Sequence, residues 1–373
     1  MLYSRRDIGK FALASVPLSR AFGAKIDSKI DGVQIGAISY SFNTLERPDP
    51  MAIVNAFVQI GLSECELMSN HCETLAGAPA MPAFGGFGGG RGPAGAGRGP
   101  GGAAGQMPGM PGGAPPAAPG GAAGAPPAGA AGAAAAGRGR GGMGGRAPLT
   151  PEQIAERDAA QAKLKEWRAA ATPATWQSVV KIFNNAGVDV ALLCYNMTDN
   201  MKDEDIEYGF SMAAGLGVKG ITTSTTLTMA KRIAPIADAH KLLVGYHGHD
   251  ATSDANQTAT LESYDTLMGY GKYNGINLDI GHFTAANYDA VDFILKHHDK
   301  ITNLHIKDRK KDHGPNVFPW GTGDTPMKAV LQLLKKNKYP FPANIEMEGF
   351  NQYSSDPVAL GKECYAYMKT CLA

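Results

Sequence analysis

The sequence predicts a single (β/α)8 barrel, and three observations lead to this prediction. Eight short apolar runs rich in β-branched residues recur along the chain. Amphipathic helical patterns lie between them, and such alternation is typical of a parallel sheet. Once an N-terminal export signal and a Gly/Ala/Pro-rich insert are set aside, about 280 residues remain, close to the roughly 250 of a typical barrel.

The eight predicted strands are evenly distributed over the rest of the chain. They are VQIGAIS (33–39), ECELM (64–68), VDVALLC (188–194), VKGITT (218–223), LLVGYH (242–247), INLDIG (276–281), ITNLHI (301–306) and ANIEM (343–347). Eight repeats favour closure into a barrel. An open doubly wound sheet is the alternative, but no G-x-G-x-x-G motif follows the first strand.

Helical patterns follow the strands, and two of them carry clear end signals. Thr150 and Pro151 are expected as N-cap and first residue of a helix over TPEQIAERDAAQAKLKEWRAAA. Gly187 is expected to end TWQSVVKIFNNAG directly before the third strand. The others are DEDIEYGFSMAAGLG, TMAKRIAPIADAHK, ATLESYDTLMGYG, ANYDAVDFILKHH, TPMKAVLQLLKKN and DPVALGKECYAYMKTCL.

The N-terminus, residues 1–24, is typical of a twin-arginine export signal. Arg5 and Arg6 precede the apolar stretch FALASVPL, and Ala21 and Gly23 offer small residues for a cleavage site. We therefore expect residues 25–373 to form one barrel domain in a periplasmic or secreted protein. No other stretch approaches the roughly 20 apolar residues of a membrane span, so none is predicted.

Residues 77–147 form a low-complexity insert of Gly, Ala and Pro with five arginines and no acidic residue. Such a composition predicts disorder, and its position after the second strand places it on a βα loop at the catalytic face. Its Arg-Gly steps resemble RNA-binding tails. However, a formal net charge of +1 and an exported location give no reason to expect nucleic acid.

The five cysteines are odd in number and contain no CxxC spacing, so we expect buried hydrophobes rather than disulfides or a thiolate zinc site. Polar side chains instead collect at the ends of predicted strands five to eight. A buried imidazole or carboxylate is costly unless it is paired or metal-bound. These side chains are His247 and His249, Asp279 and His282, His305, Lys307 and Asp308, and Glu346 and Glu348.

The motifs HGHD, LDIGH, HIKDR and IEMEG, in this order, resemble the xylose isomerase-like superfamily of TIM barrels, which includes sugar phosphate isomerases and epimerases. The resemblance implies Asp279, His305 and Glu346 as metal ligands and His282 as a substrate contact. His247 stands where the related epimerases have glutamate. We expect it to be the fourth ligand, with His249 as the alternative.

Two imidazoles and two carboxylates suit Mn²⁺, which we expect, and also Zn²⁺, Co²⁺ or Fe²⁺, better than Ca²⁺. The resemblance predicts a sugar isomerase or epimerase that abstracts a proton next to a carbonyl. Glu346 or Glu348 is expected to be the base, and His249, Lys307 or His282 to supply the other proton. The missing strand-five glutamate leaves open a lyase or dehydratase acting on a keto-sugar or 3-keto-glycoside. An abasic-site endonuclease and a non-catalytic sugar-binding barrel are further alternatives.

Several further residues are candidates for binding a small sugar or glycoside substrate. Glu66 either faces the mouth or caps a loop, and Asp308 positions Lys307 or a substrate hydroxyl. Trp320 offers a stacking face. The segment PWGTGDTP (319–326) is either a phosphate site or a turn in which Thr325 caps the next helix. The sequence leaves open whether the protein forms a homo-oligomer.

Overall fold

The computed structural model describes residues 25–45, 49–82 and 149–373, and these form a closed barrel of eight parallel strands. Each strand pairs with the next one along the chain, and the last pairs with the first. The strands are β1 Val33–Ile38, β2 Glu64–Met68, β3 Asp189–Cys194, β4 Gly220–Thr223, β5 Leu243–His247, β6 Asn274–Asp279, β7 Ile301–Ile306 and β8 Ala343–Ile345.

The predicted (β/α)8 barrel is therefore confirmed, with strand ends shifted by up to two residues. A short strand, Lys29–Ile30, pairs antiparallel with β1 outside the barrel. The sequence did not reveal it, because two residues are too few to show an alternating pattern. Asp31 and Gly32 join it to β1, and both have positive φ, as a tight hairpin turn requires.

Helices cover the barrel. They are α1 Met51–Ile60, α2 Ser69–Leu75, α3 Pro151–Ala170, α4 Pro173–Asn185, α5 Asp203–Leu216, α6 Leu227–His240, α7 Leu261–Met268, α8 Ile280–Ala285, α9 Ala290–His297, α10 Met327–Asn337 and α11 Pro357–Leu372. Thr150 caps α3 as predicted, since its hydroxyl accepts from the Gln153 N–H. The sequence analysis missed α1, α2 and α8.

Alternation along the strands divides the core into two parts. Val33, Ile35 and Ala37 of β1 belong to the large apolar cluster between sheet and helices. The intervening positions face the inside of the barrel. There, polar residues from several strands make a buried hydrogen-bonded layer below the mouth. All five cysteines are buried and free, as predicted.

The export signal at 1–24 and residues 83–147 of the insert lie outside the described residues. Within the part of the chain that the structure describes, no helix is long and apolar enough to cross a bilayer.

Candidate active site

Four buried side chains from four neighbouring strands meet at the C-terminal mouth of the barrel. His247 ends β5, Asp279 ends β6, His305 lies in β7, and Glu346 follows β8. One potential ligand atom of each lies within 4.8 Å of the others. The sheet register produces this arrangement, because Asp279 pairs directly with His305 and the flanking strands align their ends.

His247 has the properties of a metal ligand. Burial, reinforced by the nearby imidazole of His249, lowers its pKa well below the usual value, so the ring is neutral. Its Nδ1 atom is buried without a hydrogen-bond partner. A neutral imidazole with an unused nitrogen, together with a second imidazole and two carboxylates, fits a divalent transition metal.

His249 lies next to this cluster, with its ring centroid 4.7 Å from that of His247. Burial and the neighbouring His282 lower its pKa to about 4. His247, His249 and His282 form a second group whose ligand atoms are also within 4.8 Å of one another. His247 thus belongs to both groups, and His249 only to the all-histidine one.

Two carboxylates hold the ring of His305. Its Nδ1 lies 3.1 Å from Glu346 Oε2, and its Nε2 lies 2.9 Å from Glu66 Oε2. Burial favours the neutral ring, but the attraction of these two carboxylates outweighs it and raises the pKa of His305 to about 10. A metal at this position must therefore replace a proton on the imidazole.

Glu66 does not face the mouth, which corrects the prediction that it contacts substrate. Its side chain is only 1% exposed. Asn303 and Asn344 each donate to Oε2 at 2.9 Å, and Thr222 donates to Oε1. Since Asn303 precedes His305 by two residues on β7, this network lies one layer below the histidine. Glu66 orients His305 from beneath.

Lys307 occupies the centre of the acidic residues. Its Nζ lies 3.0 Å from Asp279 Oδ2 and 2.9 Å from one oxygen of each of Glu346 and Glu348. Although burial opposes the charge, these carboxylates raise the pKa of Lys307 well above its usual value. The ammonium therefore stays charged and neutralises part of the cluster.

Glu348 is the more accessible of the two glutamates after β8, with its side chain 40% exposed. Its Oε2 lies 2.9 Å from Lys307 Nζ and 3.4 Å from His282 Nε2. The Lys307 ammonium holds the pKa of Glu348 well below the usual range. The site thus presents a permanently ionised carboxylate toward solvent.

His282 lies in the first turn of the short helix α8, and its backbone N–H donates to Asp279 Oδ1 at 2.7 Å. Its Nδ1 lies 3.0 Å from Asp250 Oδ1. Asp250 also accepts from Arg309 at 2.8 and 3.1 Å, so Arg309 lies buried in the wall of the mouth and not in a solvated loop. The sequence analysis missed this pair, although Asp250 ends the HGHD motif.

Asp308 does not contact Lys307 or the open mouth, contrary to the prediction. Its Oδ2 accepts from the N–H groups of Gly321 and Gly323 at 2.8 Å, and Oδ1 accepts from Thr325 at 3.4 Å. The side chain is 1% exposed. Asp308 turns away from the mouth because the loop after β7 offers it these backbone N–H donors, and their hydrogen bonds to a carboxylate are stronger than those to a neutral acceptor.

Trp320 offers no stacking face for a sugar, which corrects a further prediction. It is 6% exposed and packs edge-on against Tyr367 of α11, at 6.5 Å between ring centroids. Helix α10 also begins later than predicted, at Met327 with Pro326 as its N-cap. The hydroxyl of Thr325 instead accepts from the Arg309 N–H.

Comparisons with known proteins agree with this architecture. Residues 225–370, which contain β5 to β8 and all four cluster residues, match the family model described as xylose isomerase-like TIM barrel. No curated protein sequence matches the chain.

Three solved structures share the fold. A sugar phosphate isomerase/epimerase from Parabacteroides distasonis is 12% identical, with 94% of this chain and 97% of that chain covered and a TM-score of 0.50. The probable 3-DHS dehydratase AsbF from Bacillus anthracis is 12% identical, with coverages of 89% and 97% and a TM-score of 0.51. A xylose isomerase domain containing protein from Salmonella typhimurium is 8% identical, with coverages of 94% and 99% and a TM-score of 0.51.

At these identities the structural neighbours support the fold alone. The family match adds agreement in sequence, because it covers the strands whose ends carry the HGHD, LDIGH, HIKDR and IEMEG motifs. Over residues 225–370 the chain is similar to the xylose isomerase-like TIM barrels.

Proposed function

We propose that this protein is a divalent-metal-dependent sugar isomerase or epimerase that removes a proton from the carbon next to a carbonyl. One observation carries the proposal: His247, Asp279, His305 and Glu346 converge within 4.8 Å, with an ionised base beside them. An ion held by these four side chains would act as a Lewis acid on the substrate carbonyl. Mn²⁺ is the proposed metal, and Zn²⁺, Co²⁺ and Fe²⁺ suit the same donors.

Glu348 is the proposed base. It is the accessible carboxylate of the site, and Lys307 keeps it ionised over the working pH range. A carboxylate with a lowered pKa is a weak base, so it needs a C–H bond acidified by a polarised carbonyl. In an isomerisation the proton moves from the substrate carbon to Glu348 and returns to the neighbouring carbon from the same face; an epimerisation requires that a second group return a proton to the same carbon from the opposite face.

Lys307 and His282 assist this transfer. The Lys307 ammonium directs its N–H groups to Asp279, Glu346 and Glu348, so it fixes the position of the base Glu348 and keeps it ionised. His282 Nε2 lies 3.0 Å from Lys307 Nζ and 3.4 Å from Glu348 Oε2, within reach of a proton carried by the glutamate. Asp250 fixes the other side of the His282 ring.

Elimination from a keto-sugar or 3-keto-glycoside is the second candidate function. Its support is the one-sided placement of the carboxylates that follow β8, Glu346 and Glu348, while the corresponding position on β5 is His247. A base and a donor on one face suffice to remove a proton and protonate a leaving group. One of the structural neighbours is named as a probable 3-DHS dehydratase, and dehydration is an elimination of this kind.

Solvent exchange tests the proposal. Metal-loaded protein is incubated in D₂O with aldoses, ketoses and 3-keto-glycosides, and the products are followed by NMR. We expect deuterium next to a carbonyl in at least one substrate; release of an aglycone or water identifies elimination. Absence of both across the panel would refute proton abstraction.

Glu348→Gln provides the matched variant for this assay. It should lower the exchange rate by about 10²- to 10⁴-fold, the usual contribution of a positioned base. Glu363→Gln, an exposed glutamate on α11, is the control and should leave the rate unchanged. Equal rates for the two variants would exclude Glu348 as the base.

We also propose that the twin-arginine segment directs export of the protein. Replacing Arg5 and Arg6 by lysine should retain the protein in the cytoplasm, and fractionation of cells checks this. Exported protein should have lost about residues 1–24, which N-terminal sequencing reads directly.

A further inference from the structure

The loop between β7 and α10 forms a ring of backbone N–H groups around a side chain of its own. Gly321 and Gly323 donate to Asp308 Oδ2 at 2.8 Å each, and Thr325 approaches Oδ1 at 3.4 Å. Converging backbone N–H groups of this kind bind anions. In (β/α)8 barrels the loops after strands seven and eight are also a frequent phosphate site. Here an internal carboxylate takes the position of the anion.

The fit around Asp308 leaves no space for a second anion. A Cβ atom placed on Gly323 would collide with the Asp308 carboxylate, so the loop backbone rests directly on it. On the other side, a Cβ on Gly321 would meet the ring of Tyr367 at 2.6 Å. The loop is thus clamped between the carboxylate and helix α11.

The buried basic side chains next to Asp308 are also occupied. Lys307 is surrounded by three carboxylates, and Arg309 is held by both oxygens of Asp250. Farther along the loop, Lys310 pairs with Asp324 at 3.3 Å, and Lys311 is exposed at the surface. Neither buried cation is available to neutralise a substrate phosphate.

At this end of the barrel the carboxylates carry more negative charge than the buried cationic side chains and a divalent ion together can neutralise. They are Glu66, Asp250, Asp279, Asp308, Glu346 and Glu348. A phosphate dianion entering this low-dielectric site would lose its hydration without gaining an unpaired cationic side chain, which is strongly unfavourable.

We infer that the substrate of this site is an unphosphorylated sugar or glycoside, and that Asp308 acts as a built-in anion that closes the phosphate position. The inference rests on the proposed function and specifies its substrate class. It differs from the sugar phosphates that the name of one structural neighbour suggests.

Anion binding tests the inference without turnover. The full-length, metal-loaded protein is titrated with sulfate, a phosphate mimic that does not precipitate the metal, by calorimetry and by thermal unfolding. Wild type should show no sulfate binding below about 10 mM. Asp308→Ala opens the ring of N–H groups and should bind sulfate at least about tenfold more tightly, equivalent to roughly 1.4 kcal/mol. Asp324→Ala, on the same loop but exposed, should resemble wild type.

Two results would overturn the inference: sulfate binding by wild type in the low millimolar range, or a folded Asp308→Ala protein that gains none. If Asp308→Ala fails to fold, Asp308→Ser keeps a small acceptor for the N–H groups while vacating space for the anion, and should show a smaller gain in sulfate affinity.

An independent test compares the affinities of the intact protein for fructose and for fructose 6-phosphate. The phosphate ester should bind at least about tenfold more weakly, and a tenfold preference for it would contradict the inference. If no sugar of the D₂O panel exchanges or eliminates, the proposed function fails, while the sulfate titration still decides whether the phosphate position is closed.

Discussion

Glu66→Gln is expected to weaken metal binding much more than it weakens the fold. The glutamine oxygen can take the place of Oε2 and keep the three 2.9 Å contacts from Asn303, Asn344 and His305. The new amide group then faces the hydroxyl of Thr222, which can rotate to accept, and the Asn277 amide 3.4 Å away, which can flip to present its oxygen. What the variant removes is the charge that holds the His305 ring.

The magnitudes follow from these contacts. Loss of the charge-assisted character of one buried hydrogen bond costs about 1–2 kcal/mol of unfolding free energy. Removing the carboxylate partner of a metal-binding histidine lowers metal affinity by about 10- to 100-fold. Glu66→Ala, by contrast, removes this acceptor from five buried groups, those of Thr222, Asn277, Asn303, His305 and Asn344, and should destabilise the protein by about 3–5 kcal/mol.

Competition with a chromophoric chelator measures the metal affinity, and urea unfolding of metal-free protein measures the stability. Glu64→Gln is the matched control. Glu64 lies on the same strand as Glu66 but contacts Lys219 at 3.7 Å and has no contact with His305, so its variant should bind metal like wild type. Wild-type metal affinity in folded Glu66→Gln protein would refute the role assigned to Glu66.

Two further predictions concern metal affinity and the pH dependence of stability. Lys307→Met removes a cation from between Asp279 and Glu346, so divalent metal should bind at least about tenfold more tightly in the chelator assay, although turnover falls; unchanged or weaker binding would contradict this. Burial lowers the pKa of His71 to about 3, so its neutral form is favoured in the folded state and stability should fall as pH drops below about 6.5. In urea unfolding of metal-free protein, His71→Gln should reduce that loss by about 1.4 kcal/mol per pH unit between pH 6 and 4, and an unchanged slope would exclude His71 as the titrating group.

The barrel was readable from the sequence because the eight strands are short apolar runs and amphipathic helical patterns separate most of them. Helix α8 was not, because its six residues show no periodicity and its first two, Ile280 and Gly281, continue the apolar run of β6. The same applies to the two-residue strand before β1. Short elements depend on their tertiary surroundings more than on local pattern.

The convergence of His247, Asp279, His305 and Glu346 also followed from the sequence, because parallel strands bring their C-terminal ends together. The roles of Glu66 and Asp308 did not. Glu66 is defined by amides from β7 and β8, which are distant along the chain. Asp308 is defined by loop N–H groups whose direction depends on how the loop packs against α11.

Metal content is the measurement that decides whether His247, Asp279, His305 and Glu346 form a metal centre. Elemental analysis of purified wild-type protein should find about one divalent ion per chain. His247→Ala should lose most of it and stay folded, since His247 Nδ1 has no hydrogen-bond partner to leave behind. His298→Ala, an exposed histidine after α9, is the control and should retain the metal. Full metal content in folded His247→Ala protein would exclude a metal centre at these four side chains.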